Sequence, residues 1–297
     1  MRKRLAGVLT ALITPFKADG EVDGAALGRL VERQVEAGVD GLVVCATTGE
    51  GSTLTAGERR EIITFCVREA GKACLIVAGT GTNSLPSTIE NTKAAQDLGC
   101  DAALVVTPYY NKPTPEGLVR YYAQLLDRTS IPVILYNVPS RTAVDMTPAT
   151  VARVASHERC AGIKEASGNV IRVLELRRRT KEGFSILSGD DATFFPLLAC
   201  GGDGIICTSS NVAPADVVAL QRAWAEGNLA KARDIHASLL DLYAAMFVET
   251  NPGPAKFALA AMGLIEPSIR PPLVLPDPES PAAKTIVSAL RGRGLLR

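Results

Sequence analysis

Eight short apolar runs, separated by helix-length amphipathic stretches, constrain this chain more than any other feature. The runs are Val8–Phe16, Gly41–Thr47, Cys74–Gly79, Ala102–Tyr109, Pro132–Val138, Ala161–Ala166, Phe184–Gly189 and Gly204–Thr208. Each is nearly continuous rather than alternating, the pattern of parallel strands covered on both faces. Eight strand–helix repeats are the count of a closed α/β barrel, the (β/α)₈ TIM barrel. A doubly wound open sheet alternates in the same way, but it usually carries Gly-x-Gly-x-x-Gly after its first strand. Here Gly79-Thr-Gly81 follows the third run, lacks the third glycine and reads as a tight turn. The pattern therefore predicts the barrel.

The intervening helices signal their own starts. Thr55-Ala-Gly-Glu58 is a capping box, and Thr114-Pro115 and Thr147-Pro148 each place a capping hydroxyl before a proline at the first helical position. After Thr114, the residues Leu118, Tyr121, Tyr122, Leu125 and Leu126 share one helical face. Past about Gly227 the strand signal stops. Asn228–Val248, Ala255–Gly263 and Pro281–Leu290 read as helices divided by Pro-rich loops such as Arg270-Pro-Pro272. The expected organisation is a catalytic barrel over 1–226 and a C-terminal helical appendage over 227–297, too small to stand alone and so packed on the barrel.

Composition narrows the partners. Hydrophobic residues make up 47% of the chain, enough for a large core, and the net charge of +1 carries no basic stripe for nucleic acid or a membrane surface. Two histidines exclude a His-rich metal site, and no other metal or cofactor signature is present. The seven cysteines lie in or beside apolar segments and read as reduced, core-filling thiols of a cytoplasmic protein. Met1-Arg-Lys-Arg4 before Leu5–Ile13 superficially resembles a signal peptide. The apolar run is short, ends in Thr14-Pro-Phe-Lys17 without a small-residue cleavage site, and reads instead as a buried strand.

Barrel chemistry gathers at the carboxyl ends of the strands. Those ends hold Thr47-Thr48-Gly49-Glu50, Thr107-Pro-Tyr-Tyr110, Tyr136-Asn-Val-Pro-Ser-Arg141-Thr142, Gly162-Ile-Lys164-Glu-Ala166 and Gly189-Asp-Asp191. Lys164 interrupts an apolar strand, a setting in which a shielded amine serves as a nucleophile. Period-two alternation puts Gly162 and Ala166 on its face, leaving room for a small carbonyl substrate. Tyr136, on the neighbouring strand, can relay protons, linked to a hydroxyl such as that of Thr47. Arg141 and the Thr47-Thr48 turn can each grip a carboxylate. Each residue alone has an ordinary explanation: a lysine paired with a carboxylate, a core tyrosine, a solvated arginine, a loop Thr-Thr. Together at one barrel mouth they describe a lysine-imine aldolase that needs no metal.

These segments, with Val77-Ala-Gly-Thr-Gly81 and Asn251-Pro-Gly-Pro-Ala-Lys256, resemble the dihydrodipicolinate synthase and N-acetylneuraminate lyase superfamily over nearly the whole length. The resemblance implies that Lys164 forms a pyruvate imine and that Thr47, Tyr136 and Tyr110 make a proton-relay triad. It further implies that Tyr110 is contributed across a dimer interface, within a homo-oligomer that is usually a dimer of dimers. Thr48 would hold the pyruvate carboxylate, Arg141 that of the second substrate, and Gly189 and Ile206 would contact ligands through their backbones. The double tyrosine Tyr109-Tyr110 and the run Pro139-Ser-Arg-Thr142 favour the synthase branch. Its reaction condenses pyruvate with L-aspartate 4-semialdehyde to 4-hydroxy-tetrahydrodipicolinate, in lysine and diaminopimelate biosynthesis. The rivals are another pyruvate aldolase, acting on a keto-deoxy-sugar acid or a hydroxy-oxoglutarate, and a non-catalytic barrel that senses keto acids.

One departure from the family bears on regulation. Lysine-inhibited members carry a glutamate four residues after an asparagine, and a histidine or tryptophan in the helix after the Thr-Thr-Gly-Glu turn. Asn83 and Tyr109 are present here, but Ser87 stands at the glutamate position and Ala56 and Arg59 at the helix positions. The resemblance thus implies insensitivity to lysine, unless Glu90, one turn onward, supplies the missing carboxylate.

Overall fold

The computed structural model describes residues 5–296. All eight apolar runs form strands: β1 (Gly7–Ala11), β2 (Gly41–Val44), β3 (Leu75–Gly79), β4 (Ala102–Val106), β5 (Val133–Asn137), β6 (Cys160–Glu165), β7 (Ser185–Ser188) and β8 (Gly204–Cys207). Between them run the helices α1 (Gly24–Ala37), α2 (Ala56–Ala70), α3 (Leu85–Asp97), α4 (Pro115–Arg128), α5 (Pro139–Thr142), α6 (Pro148–Ala155), α7 (Arg172–Arg179) and α8 (Phe194–Ala199). After β8 come α9 (Pro214–Ala225), α10 (Leu229–Ala245), α11 (Gly253–Ala261) and α12 (Pro281–Gly292). The strands pair in parallel and in chain order, and β8 closes on β1. The fold is the predicted (β/α)₈ barrel with C-terminal helices. The Met1–Arg4 segment lies outside the described residues, and among those described no helix is long and apolar enough to cross a membrane.

Near-continuous apolar strands are needed because each strand is buried on both sides. Inward-facing Leu9, Val43, Val77, Leu104, Ile134 and Leu187 fill the barrel, while Val8, Leu42, Ile76, Val105, Ile163 and Ile186 pack outward under the helices. The capping box at Thr55 and Glu58 is formed, Thr114 and Thr147 cap α4 and α6, and the predicted face of α4 is buried.

Two local expectations need correction. The first strand ends at Ala11 rather than Phe16, because Asn211 takes over its edge: Asn211 Nδ2 donates to Ala11 O at 2.8 Å and Ile13 N donates to Asn211 Oδ1 at 3.0 Å. Gly79-Thr-Gly81 is not a tight turn but chain that runs close against its neighbours. A Cβ on Gly79 would sit 2.6 Å from Ala46 Cα, and one on Gly81 2.4 Å from Val106 N. Those glycines are required by close approach.

Candidate active site

Strand register assembles the centre of the site. Tyr136 on β5 pairs with Lys164 on β6, and Lys164 with Leu187 on β7. Residues paired in parallel strands point to the same side, so Lys164 projects into the barrel beside Tyr136. The residue is 6% exposed in this interior, and Nζ lies 4.4 Å from the centroid of the Tyr136 ring, over its face. The contact therefore runs through the ring rather than the phenol oxygen.

Room beside Lys164 comes from a residue to which the family resemblance assigned another role, backbone contact with a ligand. Gly162 serves strand packing, since a Cβ there would meet Ser185 O at 2.5 Å. A Cβ on Gly189 would instead lie 2.9 Å from Lys164 Cε and 2.6 Å from Ala166 Cβ. Gly189 leaves the lysine its space, and its own N–H donates to Glu165 O at 2.7 Å.

From outside the barrel, β5 and β6 are braced by polar side chains. Asn137 Nδ2 donates to Glu165 at 3.2 Å and to Asp145 at 3.0 Å, while Asn137 Oδ1 accepts Met146 N. Arg172 closes the cluster with a 2.7 Å ion pair to Asp145. Burial raises the Glu165 carboxyl above the ordinary carboxylate value, although hydrogen bonds from Ser167 and the nearby Arg172 oppose that. Asp191 braces the next strands in the same way: it is buried and accepts Thr208 N at 3.1 Å and Ser209 N at 2.7 Å, tying the loop after β7 to the end of β8 beside Ile206.

Above the lysine, a cavity of about 610 Å³ opens between the ends of β2, β3, β4 and β5. Thr47, Tyr136 and Arg141 line it, with Tyr109, Arg59 and Asn251. Lys164, Thr48, Gly189 and Ile206 do not; Tyr136 is the residue shared between cavity and lysine. Thr48 is buried and its hydroxyl accepts Asn251 Nδ2 at 3.0 Å. The same Asn251 accepts Arg141 Nη2 on its backbone oxygen at 3.2 Å. One residue of the C-terminal region thus joins both candidate carboxylate clamps. Tyr110 stands apart: it is 89% exposed and does not line the cavity.

Backbone strain marks the same loops. Cys45, Glu50, Tyr110, Lys112 and Ala143 all have positive φ and lie beyond β2, β4 or β5. Non-glycine residues held there cost energy and persist where the surroundings force them, which happens most often at functional sites. Arg59 ties the first of these loops to the end of β3, donating to Gly51 O at 3.1 Å and to the Cys45 and Gly79 oxygens. Burial pushes the Cys45 thiol up to about 11 and Cys100 and Cys160 to about 12, so these thiols stay protonated and serve as packing. Among the described residues no group of three or more His, Cys, Asp or Glu side chains is placed to hold a metal ion.

Asn137, Glu165, Asp191 and Asn251 have roles here that the site motifs of the sequence do not announce. Asn251 did leave a signal, because it opens the Asn251-Pro-Gly-Pro-Ala-Lys256 motif. Polar residues at strand ends were a signal for the others, but nothing in their spacing names their partners.

Comparison with known proteins agrees with this architecture. The model of the dihydrodipicolinate synthetase family matches residues 4–289, and the chain belongs to that family. It is 46% identical to a 4-hydroxy-tetrahydrodipicolinate synthase of Thermodesulfovibrio yellowstonii, over 98% of this chain and 99% of the relative. A synthase of the same name from an Anaeromyxobacter species is 51% identical over 91% of this chain and 92% of its own length. The crystal structure of the chloride-inhibited dihydrodipicolinate synthase of Acinetobacter baumannii, in complex with pyruvate, superposes with a TM-score of 0.95. It is 40% identical and covers 98% of this chain and 100% of its own.

Proposed function

We propose that this chain is a cytoplasmic enzyme that condenses pyruvate, held as an imine on Lys164, with L-aspartate 4-semialdehyde to give 4-hydroxy-tetrahydrodipicolinate. The observation that carries the reading is the Lys164 side chain, buried inside the barrel with its amine over the Tyr136 ring and its arm packed against the bare backbone of Gly189. Family membership, the names of full-length relatives and the pyruvate complex of the Acinetobacter baumannii enzyme support the same chemistry.

In this reading Lys164 Nζ attacks the pyruvate keto carbon and water leaves, forming the imine. Thr48 and the turn around it receive the pyruvate carboxylate. Loss of a methyl proton gives an enamine, whose carbon adds to the semialdehyde carbonyl while Arg141 holds the second carboxylate. The semialdehyde's own amine then attacks the imine carbon, closes the ring and frees Lys164. Tyr136, Thr47 and Tyr110 carry the protons. Because Tyr110 is exposed and outside its own cavity, its role in the relay requires a neighbouring subunit, so the working form is a homo-oligomer; the family resemblance implies a dimer of dimers. The residues at the mouth fit two carboxylate-bearing substrates better than an aldose fragment.

The test is purified protein given pyruvate with L-aspartate 4-semialdehyde, a keto-deoxy-sugar-acid precursor aldehyde, or glyoxylate. Turnover should be fastest with the semialdehyde by a wide margin. Faster turnover with another aldehyde, or none with any, would overturn the assignment.

A further inference from the structure

A buried ion pair joins the C-terminal region to the underside of the turn that carries Thr47 and Thr48. Lys256, on α11, has a side chain with no exposed surface, and its ammonium pairs with Glu50, whose side chain is 1% exposed. Lys256 Nζ lies 4.1 Å from the centroid of the Phe16 ring, and the Arg270 guanidinium carbon lies 4.2 Å from the same centroid. Glu50 Oε2 also accepts the Arg270 backbone N–H at 3.0 Å. The Arg270 side chain is engaged elsewhere, on Gly20 O, Thr53 O and Glu58. Lys256 is therefore the cationic side chain that neutralises Glu50.

Glu50 is a conformational keystone of the turn. Its φ is +52°, its N–H donates to Thr47 O at 3.1 Å, and its O accepts Thr53 N at 3.0 Å. A glutamate leaves that region of backbone space readily unless it is held. Four residues separate Lys256 from Asn251, which pins Thr48. The two ends of the Asn251-Pro-Gly-Pro-Ala-Lys256 motif thus fasten the two ends of the Thr48–Glu50 segment.

We propose that Lys256 is a positioning residue, which acts through Glu50 to hold the Thr47–Thr48 turn in the geometry that receives the pyruvate carboxylate. The inference rests on the pyruvate chemistry assigned above. Stability alone is a poor reason for the pair. Burial outweighs the attraction of Glu50 and lowers the Lys256 ammonium to about 8, so keeping this lysine charged works against the fold. Buried ion pairs of this kind are commonly replaced by neutral side chains of similar volume without loss of stability.

That contrast supplies the test. Lys256→Met alone leaves Glu50 buried and unpaired and can fail to fold, so the deciding variant is the double substitution Lys256→Met with Glu50→Gln. The glutamine side chain would keep an acceptor for the Arg270 N–H. The double variant should melt at or above the wild-type temperature, yet its pyruvate KM should rise about tenfold or more with kcat and the semialdehyde KM changed much less, because ground-state binding of one substrate is what a loosened turn loses. Trapping of pyruvate on Lys164 by borohydride should reach the same extent at saturating pyruvate. A double variant with wild-type pyruvate KM overturns the inference, as does one in which affinity for both substrates and the melting temperature fall together as in a general loosening. Wild-type enzyme that traps no pyruvate at all would overturn the functional reading, and this inference with it.

Discussion

Gly189→Ala offers the sharpest probe of the space around the lysine. Gly189 does not have a positive φ, so alanine can adopt its backbone conformation and the effect is steric. The added methyl would sit 2.6 Å from Ala166 Cβ, 2.9 Å from Lys164 Cε and 3.0 Å from Lys164 Cγ, against 3.4–4 Å for ordinary contact. Ala166 has no rotamer to change, so backbone at Gly189 or Ala166 must shift, and the lysine arm must itself give way by about 0.5 Å. Overpacking of a filled interior costs roughly 1–3 kcal/mol, partly offset by about 0.4–1 kcal/mol from the stiffer unfolded chain. A melting temperature lower by only a few degrees should follow. The effect on chemistry should be larger, because a displacement approaching 1 Å at a reacting group costs on the order of 10²-fold. Stopped incubations with pyruvate and borohydride, read by the mass of the peptide containing Lys164, should show imine formation slowed roughly 10–100-fold in a folded protein. Trapping at the wild-type rate would refute the reasoning, since it would mean that the space at Gly189 is not what the nucleophile uses.

Four further outcomes are expected. Arg141→Ala should lose roughly 2–4 kcal/mol of transition-state stabilisation with the semialdehyde while leaving imine formation intact; an equal loss of pyruvate binding would assign the residue elsewhere. Tyr110→Phe and Lys164→Ala subunits, each defective alone, should regain activity when mixed and reassembled, and no recovery despite measured subunit exchange would place Tyr110 in its own subunit's site. Lysine should not inhibit at submillimolar concentration: a serine in place of a carboxylate removes about 1.5–3 kcal/mol, or one to two orders of magnitude in affinity. Arg59 adds like charge to the cavity wall, and Glu90 is exposed and outside that wall, so half-inhibition below 1 mM (about 4 kcal/mol of binding free energy) would contradict this. Finally, Lys256 is held at about 8 when folded against 10.5 when free, with Glu50, Arg270 and the Phe16 ring around it. The unfolded chain binds the extra proton between those values, so the penalty stands below pH 8 and is relieved as pH rises towards 10.5, by roughly 3 kcal/mol in all. Denaturant titrations across that range should show wild type gaining stability relative to the Lys256→Met, Glu50→Gln double variant, and a flat difference would rule out a strained lysine.

The barrel was legible in the amino-acid sequence because each strand must be apolar on both faces, and eight such runs leave few other folds. Lys164, Tyr136 and Thr47 were legible for a related reason: polar residues at the ends of apolar strands face the open mouth of the barrel. Capping motifs such as Thr55 with Glu58 depend on neighbours three residues apart and could be read directly. Contacts across large sequence separations could not. That Gly189 rather than Gly162 makes room for the lysine depends on which strand each missing Cβ faces. Gly79 and Gly81 look like a turn in one dimension and prove to be close approaches between strands in three. Asn251 reaches Thr48 across 203 residues, and Arg270 reaches Glu50 across 220. Hydrophobic periodicity is a local property that the chain carries wherever it goes. The partner of a buried charge is set by closure of the barrel and docking of the C-terminal helices, so Lys256 on Glu50 exists only once the whole chain has folded.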